Sequence, residues 1–141
     1  MPRILVNIDV PDLAAAAHFY REAFGFRATR RLGDDIVELA GAAVPVFLLA
    51  KAPGSPPSAA SGAERTYTRH WTPVHLDLVV EHLEPALTAA EAAGATREGP
   101  VTEHVWGRLA LLADPFGNGV CLVEFTEAGY DAIAAPPESA G

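Results

Sequence analysis

The chain has 141 residues, half of them hydrophobic, with 10 Lys and Arg against 18 Asp and Glu, a formal net charge of −8 and one cysteine. That length suits one compact domain with a real core, and the hydrophobic half makes the chain globular rather than disordered. The acidic balance disfavours nucleic acid and anionic membrane as partners, and the lone Cys121 rules out an internal disulfide and a cysteine-cluster zinc site.

No apolar run is long enough to span a bilayer. The opening "MPRILVNID" has no apolar signal-peptide stretch, so a cytoplasmic protein is expected. Residues 4–13, "ILVNIDVPDL", alternate. Ile4, Val6, Ile8 and Val10 share one face of a strand, and Leu5, Asn7 and Asp9 the other. Asp12 then reads as an N-cap, with Leu13, Ala16, Ala17, Tyr20 and Phe24 at helical spacing and Gly25 as the stop. "FRATRRL", "DIVELA" and "VPVFLLA" read as three strands. Glu38 in the second is a pocket candidate on a run too short to fix its face. Residues 51–65, "KAPGSPPSAASGAER", form a linker or mobile loop.

After the linker, "RHWTPVH" (69–75) places His70 and Trp71 just before a strand, where the indole either closes a pocket or anchors the linker. "VHLDLVVEHL" (74–83) then repeats residues 4–13 at a constant offset of 70. Val74, Leu76, Leu78 and Val80 take one face, and His75, Asp77 and Val79 the other. Leu83, Leu87 and Ala90 form the next helical stripe, Pro85 is tolerated in its first turn, and Gly94 ends it. "ATREGPVTE", "GRLALLA" and "GVCLVEF" read as three more strands. "EHVWGR" (103–108) puts His104, Trp106 and Arg108 on a strand edge or hairpin, reaching the pocket or covering a dimer interface. In the hairpin turn "DPFGNG", Gly117, Asn118 and Gly119 suit positive φ.

The expected architecture is therefore α+β: two β-α-β-β-β modules (1–50 and 69–130, with linker 51–68) and a frayed tail, 131–141. Each module leaves one sheet face bare. Brought together, these faces form one cup-shaped eight-stranded mixed sheet, with Asn7 and Asp9 facing His75 and Asp77.

The segments "VPDLAAAAHFYREAFGF" (10–26), "HLDLVVEHLEPALTAAEAAGA" (75–95) and "LLADPFGNGVCLVEF" (111–125) resemble the vicinal oxygen chelate superfamily of glyoxalases, bleomycin-resistance proteins and extradiol dioxygenases, in its short glyoxalase-like group. The resemblance implies paired modules and a homodimer. It also implies that the metal-ligand positions of the superfamily's enzymes, His and Glu there, fall on Leu5, near Phe47, on His75 and on Cys121. Leu and Phe cannot ligate a metal, and the other oxygen donors, Asn7, Asp9 and Asp77, are read as lying on other rungs of the strands. No resident metal and no cofactor are expected. A divalent ion involving His75 is the alternative.

Cys121 reads as a small buried hydrophobe, or as a thiol activated by His75. Asp9 and Asp77 read as an acid–base pair, or as carboxylates that only hydrogen-bond their neighbours. The candidate ligand-binding residues are Asn7, Asp9, Phe47, Trp71, His75, Asp77, Trp106 and Cys121. The expected function is metal-independent binding or sequestration of a small hydrophobic or aromatic molecule. A lyase, isomerase or dioxygenase with an altered site around His75 is the alternative, and a regulatory or interaction subunit a third class. The expected partners are that small molecule and a second copy of the chain.

Overall fold

The computed structural model describes residues 1–136. In chain order the elements are β1 (Val6–Val10), α1 (Leu13–Phe24), β2 (Arg27–Leu32), β3 (Ile36–Ala40), β4 (Val46–Ala50), β5 (Leu76–Val79), α2 (Leu83–Ala93), β6 (Thr96–Arg97), β7 (Thr102–His104), β8 (Gly107–Ala113) and β9 (Gly119–Phe125). A 3₁₀ turn, Gly129–Ala132, straddles the expected boundary between the second module and the tail; residues 137–141 of that tail lie outside the described part. None of the described helices is long and apolar enough to cross a membrane.

The strands form two mixed sheets, β1-β4-β3-β2 and β5-β9-β8-β6, with β7 also paired to β8. β1 runs parallel to β4 and β5 parallel to β9; the other pairs are antiparallel. The expected single eight-stranded sheet is thus two sheets of four and five strands, with no ladder joining them among the described residues. The extra strand has a local cause. "ATREGPVTE" breaks at Gly99, whose φ is +141°, and at Pro100, which has no N–H to donate. β6 therefore pairs with the end of β8, and β7 with its start.

The helices form where the sequence places them. The Asp12 carboxylate accepts from Ala15 N–H at 3.0 Å, and Gly25 ends α1 in the left-handed region. α1 packs on the first sheet, α2 on the second, and the helices pack on each other. One core results, in which Val10, Leu48, Leu83 and Leu122 are fully enclosed. Two contacts pin the modules together there. Tyr20 Oη donates to the buried Asp114 carboxylate at 2.6 Å, and Phe19 meets Phe116 edge to face. Burial, then the Asp114 charge, pushes the Tyr20 phenol well above its ordinary range, so it stays a donor.

The linker is tied down at its base. Gly54 N–H donates to Arg65 C=O at 2.8 Å and Arg65 N–H to Ser55 C=O at 2.9 Å. Beyond it, Tyr67 Oη donates to Lys51 C=O at 2.7 Å. A Cβ at Gly117 would stand 2.6 Å from the Tyr67 carbonyl oxygen, so the strap, residues 66–75, and the turn meet only because residue 117 is glycine.

Candidate functional site

β1 and β5 each pair on one side only, and their free edges flank a cleft of about 1110 Å³. Pockets that enclose small molecules run to about 300–1,000 Å³, so this one has room for a polycyclic guest. Tyr20, Phe24 and Ala86 line it from the helices. Asn7, Asp9, His75 and Asp77 line it from the strand edges, so these four predicted residues do share one cleft.

The bare faces are organised as rows across the sheets. In the first module Asn7 stands opposite Phe47, and Phe47 opposite Glu38, which faces Arg30. In the second, Asp77 stands opposite Cys121, and Cys121 opposite Leu111. Phe47 and Cys121 are therefore equivalent positions, as the resemblance implied. The register also fixes the face of Glu38, whose carboxylate pairs with the Arg30 guanidinium rather than standing free. Asp9 is likewise paired, accepting from Arg65 Nε at 2.8 Å.

One expectation is corrected here. Asp77 does not lie on a separate rung from Cys121; the parallel register sets the two side by side. His75, just before β5, brings Nε2 to 3.3 Å from Asp77 Oδ1. Donor atoms of His75, Asp77 and Cys121 all lie within 4.8 Å of one another. The thiol is buried, while the imidazole and carboxylate are open to the cleft. Burial, followed by the charge and hydrogen bond of Asp77, pushes the Cys121 thiol up to about 11. At neutral pH it is a protonated thiol and a poor nucleophile.

Sequence reasoning missed two arginines. Arg65, in the linker, and Arg69, at the start of the second module, neutralise one acid in each module. Arg65 takes Asp9, and Arg69 takes Glu98 through two bonds of 2.9 Å, holding that carboxyl below its ordinary range. A Cβ at Gly119 would stand 2.7 Å from the Arg69 guanidinium, which would have to shift to admit a side chain at this strand end. The signal in the sequence was only two cations at the end of a polar loop, with nothing local to name their partners.

The two tryptophans lie away from the cleft wall. Trp71 projects from the strap and is 79% exposed. Trp106 turns the β7–β8 hairpin, stacks on His104 at 4.6 Å and packs against Phe125 and Tyr130 in a separate aromatic cluster. Arg108 points to the helix side, where it pairs with Glu84 and Glu124.

The metal of the superfamily's enzymes draws donors from both modules. Here Leu5 and Phe47 supply none, and the three clustered donors all belong to the second module and include sulfur. Hard divalent ions want six or more oxygens, so these residues do not fit such an ion.

A model of the glyoxalase-like domain matches residues 5–123. Among curated proteins none matches. Solved structures with the same fold include a glyoxalase-related enzyme from Fulvimarina pelagi, at 19% identity and a TM-score of 0.69 over 88% of each chain. TnmS3, an antibiotic binding protein from Streptomyces sp. CB03234, shares 24% identity and a TM-score of 0.62 over 89% of this chain and 97% of its own. The fosfomycin resistance protein FosX from Listeria monocytogenes shares 14% identity and a TM-score of 0.67 over 90% and 95%.

Proposed function

Since this chain belongs to the glyoxalase-like domain family of the vicinal oxygen chelate superfamily, we propose that it binds and sequesters a small hydrophobic or aromatic molecule in the cleft between β1 and β5, without needing a metal to do so. One observation carries the reading: a roomy cleft with apolar helix residues on one side and a few polar side chains on its strand edges, as ligand pockets are built. The paired Asp9 and Glu38 and the protonated Cys121 leave Asn7 and the His75–Asp77 pair to orient a guest. The comparison with an antibiotic binding protein of the same fold supports the class of ligand.

The reading includes a symmetric homodimer in the cytoplasm. Leu5, Val79 and Leu111 on the bare sheet faces are 49%, 63% and 47% exposed, and a second copy would cover them and close the cup. Nucleic acid and membrane play no part. The test is calorimetric titration with planar aromatic antibiotics, and fluorescence titration with anilinonaphthalene sulfonate, in excess chelator. Saturable binding is expected, weakened about tenfold (about 1.4 kcal/mol) by His75→Ala. Absence of binding to every probe, or binding indifferent to His75→Ala, would sink the reading. Light scattering checks the dimer, which a monomer mass at micromolar concentration would reject.

A second reading, an enzyme with an altered site, is favoured by the His75–Asp77 pair at 3.3 Å, the arrangement of an imidazole base held by a carboxylate. Turnover of a bound compound that His75→Gln abolishes while binding persists would establish it.

A further inference from the structure

We propose that His75, Asp77 and Cys121 form a site for a thiophilic divalent cation of the zinc–cadmium class, built wholly within the second module. This goes beyond the ligand-binding reading, which calls on no metal. It rests on the mismatch described above: one half of the enzymes' donor set is gone, and a different third donor has taken its place. Asp77 enters because the parallel β5–β9 register sets it against Cys121. His75 joins because its ring lies over the same end of the strand.

The distances suit a small tetrahedral ion. Metal–sulfur bonds of about 2.3 Å and metal–nitrogen or –oxygen bonds of about 2.0–2.2 Å put neighbouring donors about 3.3–3.7 Å apart. His75 Nε2 and Asp77 Oδ1 are already 3.3 Å apart. The widest separation in the cluster is within 4.8 Å, so closure asks for about 1 Å, which a side-chain rotation supplies. The sulfur is fixed in the buried middle of β9, whereas the imidazole and carboxylate are exposed and adjustable. Three protein donors leave a fourth position open to the cleft, the pattern of an open zinc site rather than a closed structural one. Sulfur, imidazole and carboxylate together favour zinc and its heavier relatives and give magnesium or calcium nothing to prefer. Binding forms the metal–sulfur bond and releases the thiol proton to solvent. Arg69, whose charge reaches Cys121, is already paired with Glu98 through two bonds.

The experiment uses the full, tag-free, metal-stripped chain titrated with Co²⁺ and then with Cd²⁺. A single saturable ion per chain is expected, with near-ultraviolet sulfur-to-cobalt charge-transfer absorption and displacement by Cd²⁺ but not by Mg²⁺. Cys121→Ser should remove that absorption. His75→Ala and Asp77→Asn change exposed side chains, so both should keep the wild-type circular dichroism and melting while weakening Co²⁺ at least about tenfold. No charge-transfer band in the wild-type chain overturns the proposal. So does a band whose affinity is unchanged in both His75→Ala and Asp77→Asn, which would mark adventitious capture by a lone thiol. Aromatic-probe binding in chelator reports on the pocket separately, so either reading can fail without the other.

Discussion

The two modules repeat at an offset of 70 residues and share one topology, yet they are finished by different means. α1 is capped by its own neighbour, the Asp12 side chain. The cap residue of α2, His82, makes no such bond; instead Leu83 N–H donates to the Glu124 carboxylate at 2.6 Å, 41 positions along the chain. The first helix is thus set locally, and the second needs β9 in place. The bare faces diverge further. Asn7, Phe47 and Glu38 make an apolar and ion-paired row, whereas Asp77, Cys121 and His75 make a donor cluster. Their buried faces stay alike: Ile8 and Leu48 pair in one sheet as Leu78 and Leu122 do in the other. A duplicated scaffold is held to its pattern by the face that packs, and its chemistry varies on the face that does not.

Five measurements test that contrast. The largest effects belong to the shared core. Leu48→Ala and Leu122→Ala remove equivalent, fully buried side chains, and each should cost about 3 kcal/mol in urea unfolding. Both should unfold in one transition, because one core joins the modules. Separate transitions for the two modules would break that picture. Tyr20→Phe comes next. It removes the cross-module bond to Asp114, which keeps donors from Phe116 N–H, Asn118 N–H and Asn118 Nδ2, so about 1.5 kcal/mol is expected.

The caps should differ in kind. Asp12→Ala should cost about 1 kcal/mol by loss of a local bond. The distal network around α2 should instead show in acid. Arg108 holds the Glu84 carboxyl down at about 2 against an ordinary 4.5, and the Leu83 N–H, with Arg108, holds Glu124 low. A carboxyl depressed by folding stabilises the native state above its unfolded value, and that contribution is lost as pH falls through the folded one. The melting temperature should therefore decline between pH 4.5 and about 2. Arg108→Ala should flatten that decline, and an unchanged slope would remove the network from the account.

The least effect on stability attends the thiol. With Cys121 at about 11 against an ordinary 9.0, its thiolate fraction near neutral pH is about a hundredfold below that of a free cysteine. Iodoacetamide should label it slowly in chelator, and faster in Asp77→Asn. Labelling as fast as glutathione would restore the nucleophile reading.

What the sequence disclosed was what neighbours decide. Asp12 and Gly25 bracket α1 because caps act within a turn, and alternation put His75 and Asp77 on one face because a strand has a period of two. The offset of 70 matched Leu5 with His75 without any structure. What stayed hidden depends on pairing. Asp77 meets Cys121 only through the parallel register of β5 on β9, which no local pattern encodes. Arg65 finds Asp9 across 56 residues. Trp71 and Trp106 were placed at a pocket by nearness in the chain, but a strap and a hairpin carry them elsewhere. Gly99 and Pro100 stand in plain view within "ATREGPVTE", yet that stretch reads as a single strand until the pairing on β8 divides it.

The hydrogen bonds from Gly54 to Arg65 and from Arg65 to Ser55 give the linker a closed neck, to which Arg65 Nη1 adds a bond to Pro56 C=O at 2.8 Å. Residues 57–64 can then be nicked or lengthened while Arg65 on Asp9 and Tyr67 on Lys51 still hold the second module to the first. A protease cut there should leave a noncovalent pair of fragments that still melts as one body.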